Sequence, residues 1–273
     1  MRELFLNLEL ARRIETAEAQ AAVECAETLE RFRPGSGAAV RRIAGGFAVY
    51  CGPGSPVTQA VAMGLDGPVS KEEFDRLEEF YRSRGEAVRV ETAPLADPSF
   101  IEQFGQRCYR VTEFSNVTAR LVSSADQDAP GLPPGVTVEK AGKDQIETWV
   151  ETVSQGFAEQ FPVSQELLEV MKMFALAPKT ECYLARVDGK IAGGGTLTIH
   201  DGVAGLFGAS TLPVARRRGV QTALLQRRLA RAAQTGCDLA VSLAQPGSTS
   251  QRNIVRQGFR VLYTRVKFEK EMK

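Results

Sequence analysis

From Glu3 to Arg31, in ELFLNLELARRIETAEAQAAVECAETLER, apolar residues recur three and four apart. That period predicts a long amphipathic helix, and the RPGSG after it predicts a break. Short apolar runs follow: AAVRRI, GFAVYC and TQAVAMGL read as strands separated by glycine turns. SKEEFDRLEEFYRSRG returns to the helical period, with Ser70 and Glu73 spaced as a capping box and Gly85 as the stop. AVRVETA predicts a strand, DPSFIEQFGQR a helix with Pro98 near its start, and YRVTEFSNVTARLV one or two strands. CGPGSP, between two of the strand runs, reads as a turn.

The polar SSADQDAPGLPPG has no apolar period and reads as a linker. Beyond it the plan repeats. VTVEKA predicts a strand; KDQIETWVETVSQGFAE and SQELLEVMKMFALA predict helices. ECYLARVDGKIAGGGTLTIHDGVAGLFGAST predicts three antiparallel strands turned at Asp188-Gly189 and Asp201-Gly202, with Gly193 to Gly195 as a strand or bulge feature. An arginine-rich helix, the strand DLAVSLAQ, a short helix around SQRNIVRQ and the strand FRVLYTRVKFEKE complete the second half. Landmarks keep a nearly constant offset between the halves: Leu77 to Leu229 is 152 residues, Gly85 to Gly236 is 151, and Cys108 to Gly258 is 150. This spacing predicts an internal duplication, with domains at 1–123 and 135–273 and a linker at 124–134.

Composition narrows the partners. With 34 basic and 33 acidic side chains the net charge is +1, so nothing global points to nucleic acid or an anionic membrane, and any basic patch is local. The five cysteines are scattered, with no Cys-x-x-Cys pair, which fits reduced thiols better than a disulfide framework or a zinc site. No signal-peptide core and no membrane-length apolar run is present, so the expectation is a cytoplasmic protein without a metal. Nothing in the pattern indicates an oligomer.

One stretch carries chemistry. ARRRGVQTALLQRRLARA places Arg216, Arg217 and Arg218 where a helix begins after a strand. A helix start already carries partial positive charge, so three cations there are favoured when an anion joins them. Gly219 lets a ligand approach the backbone, and the N–H groups of Arg218, Gly219, Val220, Gln221 and Thr222 would face it. The arginines add charge-assisted bonds, which makes a phosphate cradle.

This stretch, followed by a strand and then RNIVRQGFRV, resembles the GNAT acetyltransferase superfamily. Arg216 and Gly219 match its acetyl-CoA motif, while Gln221 stands where glycine or alanine is usual. Gly258-Phe259 resembles the family's end to the helix after the fifth strand. The likeness is good from about Val136 onward and reaches the first half through the duplication. It implies a mixed α/β fold of two tandem GNAT-like units, each a mostly antiparallel twisted sheet flanked by helices. It also implies acyl transfer from acetyl-CoA, as co-substrate, to an amine. The pantetheine arm would pair with backbone at Thr211, Leu212 and Pro213, and an N–H near Leu212 would hold the developing oxyanion. Asn253 is a candidate pantetheine contact, with helix capping as the alternative.

The catalytic residues are not identified by this resemblance. Ile254 occupies the position of the family's tyrosine acid. Tyr263 is a candidate substitute, against a packed aromatic. Glu159 is a candidate base, against a solvated loop carboxylate, and His200 reads as a turn residue. Phe157, Phe161 and Glu159 hint at a pocket for a cationic amine. In the first half Asp66, Glu72 and Glu73 fall where the cradle would be, so that copy is expected not to bind acetyl-CoA and to act as a scaffold or substrate wall. The leading expectation is an N-acetyltransferase acting on the amine of a small molecule or peptide. The alternatives are a catalytically silent acyl-CoA sensor and an arginine-patch nucleic-acid binder, which lacks interleaved aromatics and net positive charge.

Overall fold

The N-terminal helix begins later than its apolar pattern because Asn7 caps it, accepting from Leu10 N–H at 2.8 Å. The structure is a computed structural model that describes residues 4–128, 131–158 and 163–271, apart from the Glu166 side chain. The first half runs α1 (Leu8–Phe32), β1 (Ala39–Ile43), β2 (Gly46–Tyr50), β3 (Gln59–Val61), α2 (Lys71–Arg82), β4 (Val88–Thr92), α3 (Pro98–Gln106) and β5 (Arg110–Leu121). The second runs β6 (Val136–Lys140), α4 (Ile146–Phe157), α5 (Gln165–Leu176), β7 (Thr180–Val187), β8 (Lys190–His200), β9 (Val203–Gly205) and β10 (Ser210–Thr211). It ends with α6 (Val220–Gln234), β11 (Leu239–Ala244), α7 (Thr249–Arg256) and β12 (Arg260–Lys270).

The chain divides into two compact units, and the division runs differently from the sequence boundaries. One unit holds residues 1–117, 244–246 and 261–273; the other holds 118–243 and 247–260. Most of β12 therefore belongs with the first half.

In the first unit the strand order is β1-β2-β3-β4-β12-β5. Antiparallel β12 lies beside β4, from Val266 opposite Thr92 to Lys270 opposite Val88. Two contacts explain why the last strand settles there. Phe268 stacks on Phe104 with ring centroids 4.1 Å apart, inside a cluster that includes Phe74, Phe100 and Tyr109. Arg265, fully buried, is held by Glu15 (2.8 Å), Glu18 (2.6 Å) and Glu91 (3.4 Å). Burial raises the Glu18 pKa even though Arg265 pulls it down. Removing Arg265 would leave the buried Glu15 and Glu18 carboxylates without their cation.

The second unit takes the end of β5, then β11-β9-β8-β7-β6, with β10 beside β8. Both hairpin turns form where predicted: Asp188-Gly189 (φ 50° and 79°) and Asp201-Gly202 (φ 46° and 74°) are left-handed at both central residues. The Gly193–Gly195 run is a packing device as well as a strand. A Cβ on Gly194 would sit 2.8 Å from Val153 and 3.0 Å from Trp149 of α4. Cβ atoms on Gly193 and Gly195 would meet Val220 and Arg228 of α6. Missing side chains thus let a helix approach each face. The proline-rich linker is ordered where described: Asp126, in a short 3-10 turn (Ser124–Asp126), pairs with Arg120.

The duplication landmarks share geometry. After α2, Gly85 (φ 70°) precedes Glu86, whose N–H reaches Tyr81 O; after α6, Gly236 (φ 79°) precedes Cys237, whose N–H reaches Ala232 O. Leu77 and Leu229 are both buried. Cys108 (φ 59°) and Gly258 (φ 85°) both turn left-handed after α3 and α7.

Two outcomes follow from this geometry. Cys108→Gly supplies the residue that the second copy uses, and relief of the left-handed penalty should exceed the added backbone entropy, raising stability by about 0.5–1 kcal/mol; a lowered urea midpoint would contradict this. Glu181 of β7 accepts from Arg231 (2.9 Å), Lys140 (2.8 Å) and Tyr183 (2.7 Å). Burial opposes its ionisation, but those bonds win and hold it at about 2, below its ordinary 4.5. Its contribution should be complete above about pH 4.5 and fade toward pH 2. The stability gap between wild type and Glu181→Gln should narrow over that window, and a pH-independent gap would refute the assignment.

Candidate functional site

The third predicted strand of the hairpin series is broken, and the break makes the site. β9 runs parallel to β11 as far as Gly205 opposite Val241. Leu206 still belongs to that side: its N–H donates to Val241 O at 2.8 Å, and Ser242 Oγ donates to its carbonyl at 3.0 Å. One residue later the chain changes sides. The Phe207 carbonyl accepts from Thr196 N–H (2.9 Å) and Thr196 Oγ1 (2.8 Å) of β8. Gly208 turns left-handed, and Ser210 and Thr211 pair with Gly194 and Gly193. Ser210 Oγ also donates to Val153 O of α4 at 3.0 Å. β10 thereby departs from β11 and leaves a wedge between them.

Backbone pairing decides which groups face the wedge. Leu212 N–H donates to Ala192 O at 2.9 Å, and Leu212 O accepts from Ala215 N–H at 2.9 Å. The oxyanion role expected near Leu212 is therefore corrected, since that donor is already used. The Pro213 carbonyl accepts from Arg216 N–H at 3.3 Å. Strand alternation turns the Thr211 N–H the other way, away from β8. Gly156 of α4 lies behind it; a Cβ there would come 3.3 Å from Thr211 N.

The arginines occupy the link from β10 to α6. A 3-10 turn (Pro213–Ala215) leads to Arg216, to Arg217 in the left-handed region (φ 63°) and to Gly219 (φ 80°) as N-cap. No side chain caps α6. The first helical bond is Ala223 N–H to Gly219 O, so the amides of Val220, Gln221 and Thr222 have no acceptor within the helix. Gly219 also has a structural reason: its absent Cβ would lie 2.7 Å from Pro133 Cγ, and its φ is left-handed, so glycine serves the turn and that contact. Arg218 pairs with Asp188 at 2.9 Å. Asn253 of α7 donates to Gln221 at 2.6 Å, so two candidate contacts bind each other.

Other candidates separate from this place. Tyr263 is corrected as a substitute acid: it falls in the first unit and donates to Glu15 at 2.7 Å. Burial first, and then Glu15, raise its pKa far above the ordinary range. Glu159 and Phe161 lie outside the described residues, while Phe157 ends α4 against its apolar core. His200 is buried as the last residue of β8, just before the Asp201-Gly202 turn. Ile254 is buried on α7. Sequence reasoning missed Thr196 and Arg228, the latter placed inside the buried stripe of Leu224, Leu225 and Leu229. A cation within an apolar helix face was the available signal.

The first unit has closed the corresponding place with its own chain. Ser70 accepts from Glu73 N–H and Glu73 accepts from Ser70 N–H, each at 3.1 Å, so α2 starts with a reciprocal capping box. Asp66 precedes the helix instead of joining its first turn, and pairs with Arg12 at 3.2 Å. β3 makes a single ladder pair with β4, after which Asp97 N–H binds Gly64 O at 2.7 Å. Met63 and Phe100 are buried there, and Phe100 would lie 2.8 Å from a Cβ on Gly64.

Residues 146–259 match the profile of the Acetyltransferase (GNAT) family. That stretch is a GNAT domain. Solved structures extend the likeness across the chain. A GCN5-related N-acetyltransferase from Kribbella flavida aligns with a TM-score of 0.70 at 16% identity, covering 96% of each chain. A tandem GNAT protein from the clavulanic acid biosynthesis pathway aligns at 0.61 and 14% identity, covering 94% of each. A GCN5-related N-acetyltransferase from Sphaerobacter thermophilus aligns at 0.57 and 20% identity, covering 73% of this chain and 67% of that one. At such identities the shared property is the fold: tandem GNAT units. No curated protein matches the sequence. Among the described residues no helix is long and apolar enough to cross a membrane, and no cluster of three His, Cys, Asp or Glu could hold a metal ion.

Gly219→Ala should cost about 1–2 kcal/mol or more, from the left-handed φ together with the Pro133 contact. An unchanged denaturation midpoint would show that the turn is not built as described.

Proposed function

We propose that the protein is an acetyl-CoA-dependent N-acetyltransferase, active in its GNAT domain, that acetylates a primary amine of a small molecule or peptide. The observation that carries this reading is the wedge between β10 and β11, which runs toward the uncapped start of α6. An extended pantetheine fits such a gap, and a diphosphate fits the amides of Val220, Gln221 and Thr222 with Arg216 and Arg217 beside them. The Arg218–Asp188 pair is exposed, so Arg218 can exchange its carboxylate for a phosphate at small cost.

The Thr211 N–H, facing away from β8, takes the place first given to Leu212, as donor to pantetheine or to the thioester oxygen. The amine attacks the thioester carbon directly. The new C–N bond forms, the C–S bond breaks, and the thiolate leaves with a proton while the amine loses one. Water can carry both protons, because a coenzyme A thiolate is a good leaving group.

A second reading is a silent acyl-CoA sensor. Buried Ile254 at the family's acid position and the commitment of Tyr263 to Glu15 favour it. Calorimetric titration with acetyl-CoA, followed by thiol release with a panel of amines, separates the readings: binding with turnover supports the enzyme, and binding without turnover supports the sensor.

Gln221→Glu isolates the cradle from the fold. The new carboxylate keeps an acceptor for Asn253 and suits a helix N-terminus, so stability should hold or rise. Repulsion of a diphosphate at about 5 Å should weaken acetyl-CoA binding tenfold or more. Equal affinity in calorimetry would move the diphosphate away from α6.

A further inference from the structure

Arg228 is a buried cation in the GNAT domain. It is 2% exposed, yet among the described residues no carboxylate pairs with it. Burial lowers its pKa to about 10, with a smaller opposing effect from Tyr183, so it stays charged at neutral pH. Its bonds run to three carbonyls: Leu224 of its own helix at 3.0 Å, Thr196 of β8 at 2.7 Å and Phe207 at 3.3 Å. Gly195 makes room for it, since a Cβ there would stand 3.1 Å from the guanidinium carbon and 3.3 Å from Ala209.

Two of those carbonyls mark the place where the chain changes sides. Phe207 O is the first acceptor after the β11 side is left, and Thr196 supplies the other two donors to it. A buried charge without a counter-ion is poor evidence of added stability, since an apolar side chain of similar size often serves the core as well or better. Its retention at the crossover calls for another reason.

We infer that Arg228 is a positioning residue for the acyl-CoA wedge: by binding the Thr196 and Phe207 carbonyls from the α6 side, it fixes the crossover that holds β10 apart from β11. The inference rests on the proposed acyl-CoA site for its functional consequence, though not for its structural one. Arg228 touches no reacting atom in this scheme. It sets the direction of the Thr211 N–H and the width of the gap.

The experiment compares wild type, Arg228→Met and Arg228→Lys in the full chain. Amide hydrogen exchange of residues 206–212 is measured without ligand, beside thermal stability and acetyl-CoA affinity by calorimetry. Arg228→Met should keep or raise the melting temperature, speed exchange at 206–212 at least tenfold and weaken acetyl-CoA binding at least tenfold. Arg228→Lys, which can reach a carbonyl as a point charge, should recover part of both losses. Unchanged exchange at 206–212 overturns the inference whatever acetyl-CoA does. Should Arg228→Met fail to fold, the lysine variant decides the matter: wild-type exchange and affinity in it overturn the inference, and an intermediate loss of both supports it. Absence of acetyl-CoA binding in wild type with faster exchange in the variants sinks the proposed function and leaves the positioning role standing.

Discussion

One backbone rearrangement organises the GNAT domain: the transfer of the chain from β11 to β8 between Leu206 and Ser210. Parallel pairing cannot continue past it, because the Phe207 carbonyl is held by Thr196 and Arg228 on the other side. Strand polar groups that leave a ladder must find partners elsewhere or face solvent. Here they divide: Leu212 finds Ala192, while strand alternation turns the Thr211 N–H away from β8. The start of α6, without a side-chain cap, follows a few residues later.

The first unit shows the same plan without that consequence. Its α2 begins with a reciprocal capping box, its β3 is tied beyond the break through Gly64 and Asp97, and the space is filled by Met63 and Phe100. At the start of α2 the chain itself supplies a reciprocal side-chain cap, which α6 lacks. The two copies therefore differ in how the orphan groups of a helix start are satisfied, which is a local choice made by a few residues on a common scaffold. Serine and glutamate close one site, whereas glycine and arginine leave the other open.

Much of this was legible in the sequence, for physical reasons that can be named. The Asp-Gly turns, the Ser70–Glu73 box and the left-handed helix stops are set by residues within a few positions of each other, so local chemistry predicted them. The duplication was legible because Gly85 and Gly236 do the same backbone work. Assignment of β12 was not, because Phe268 and Arg265 find their partners at Phe104, Glu15, Glu18 and Glu91, far away in sequence. The same limit misled the readings of Tyr263 and Leu212. Tyr263 follows a recognisable helix in sequence but is fixed by Glu15, and the Leu212 amide is consumed by Ala192 of β8, a pairing that no spacing rule revealed.

The arginines acquire a firmer explanation from what surrounds them. Three adjacent cations at a positive helix end repel one another and the dipole, and Arg217 also adopts a left-handed backbone that most residues avoid. A purely solvated patch would not need that arrangement, since lysines or arginines anywhere on α6 would serve solubility as well. A carboxylate cap of the kind Asp97 gives α3 would place a negative charge at this helix start, yet Gly219 stands in that position. Unfavourable terms of the same sign, gathered at one end of a helix beside a gap in the sheet, would be relieved together by one multivalent anion, as the proposed acetyl-CoA site requires. That common remedy, more than the arginine count, distinguishes a binding site from a basic surface.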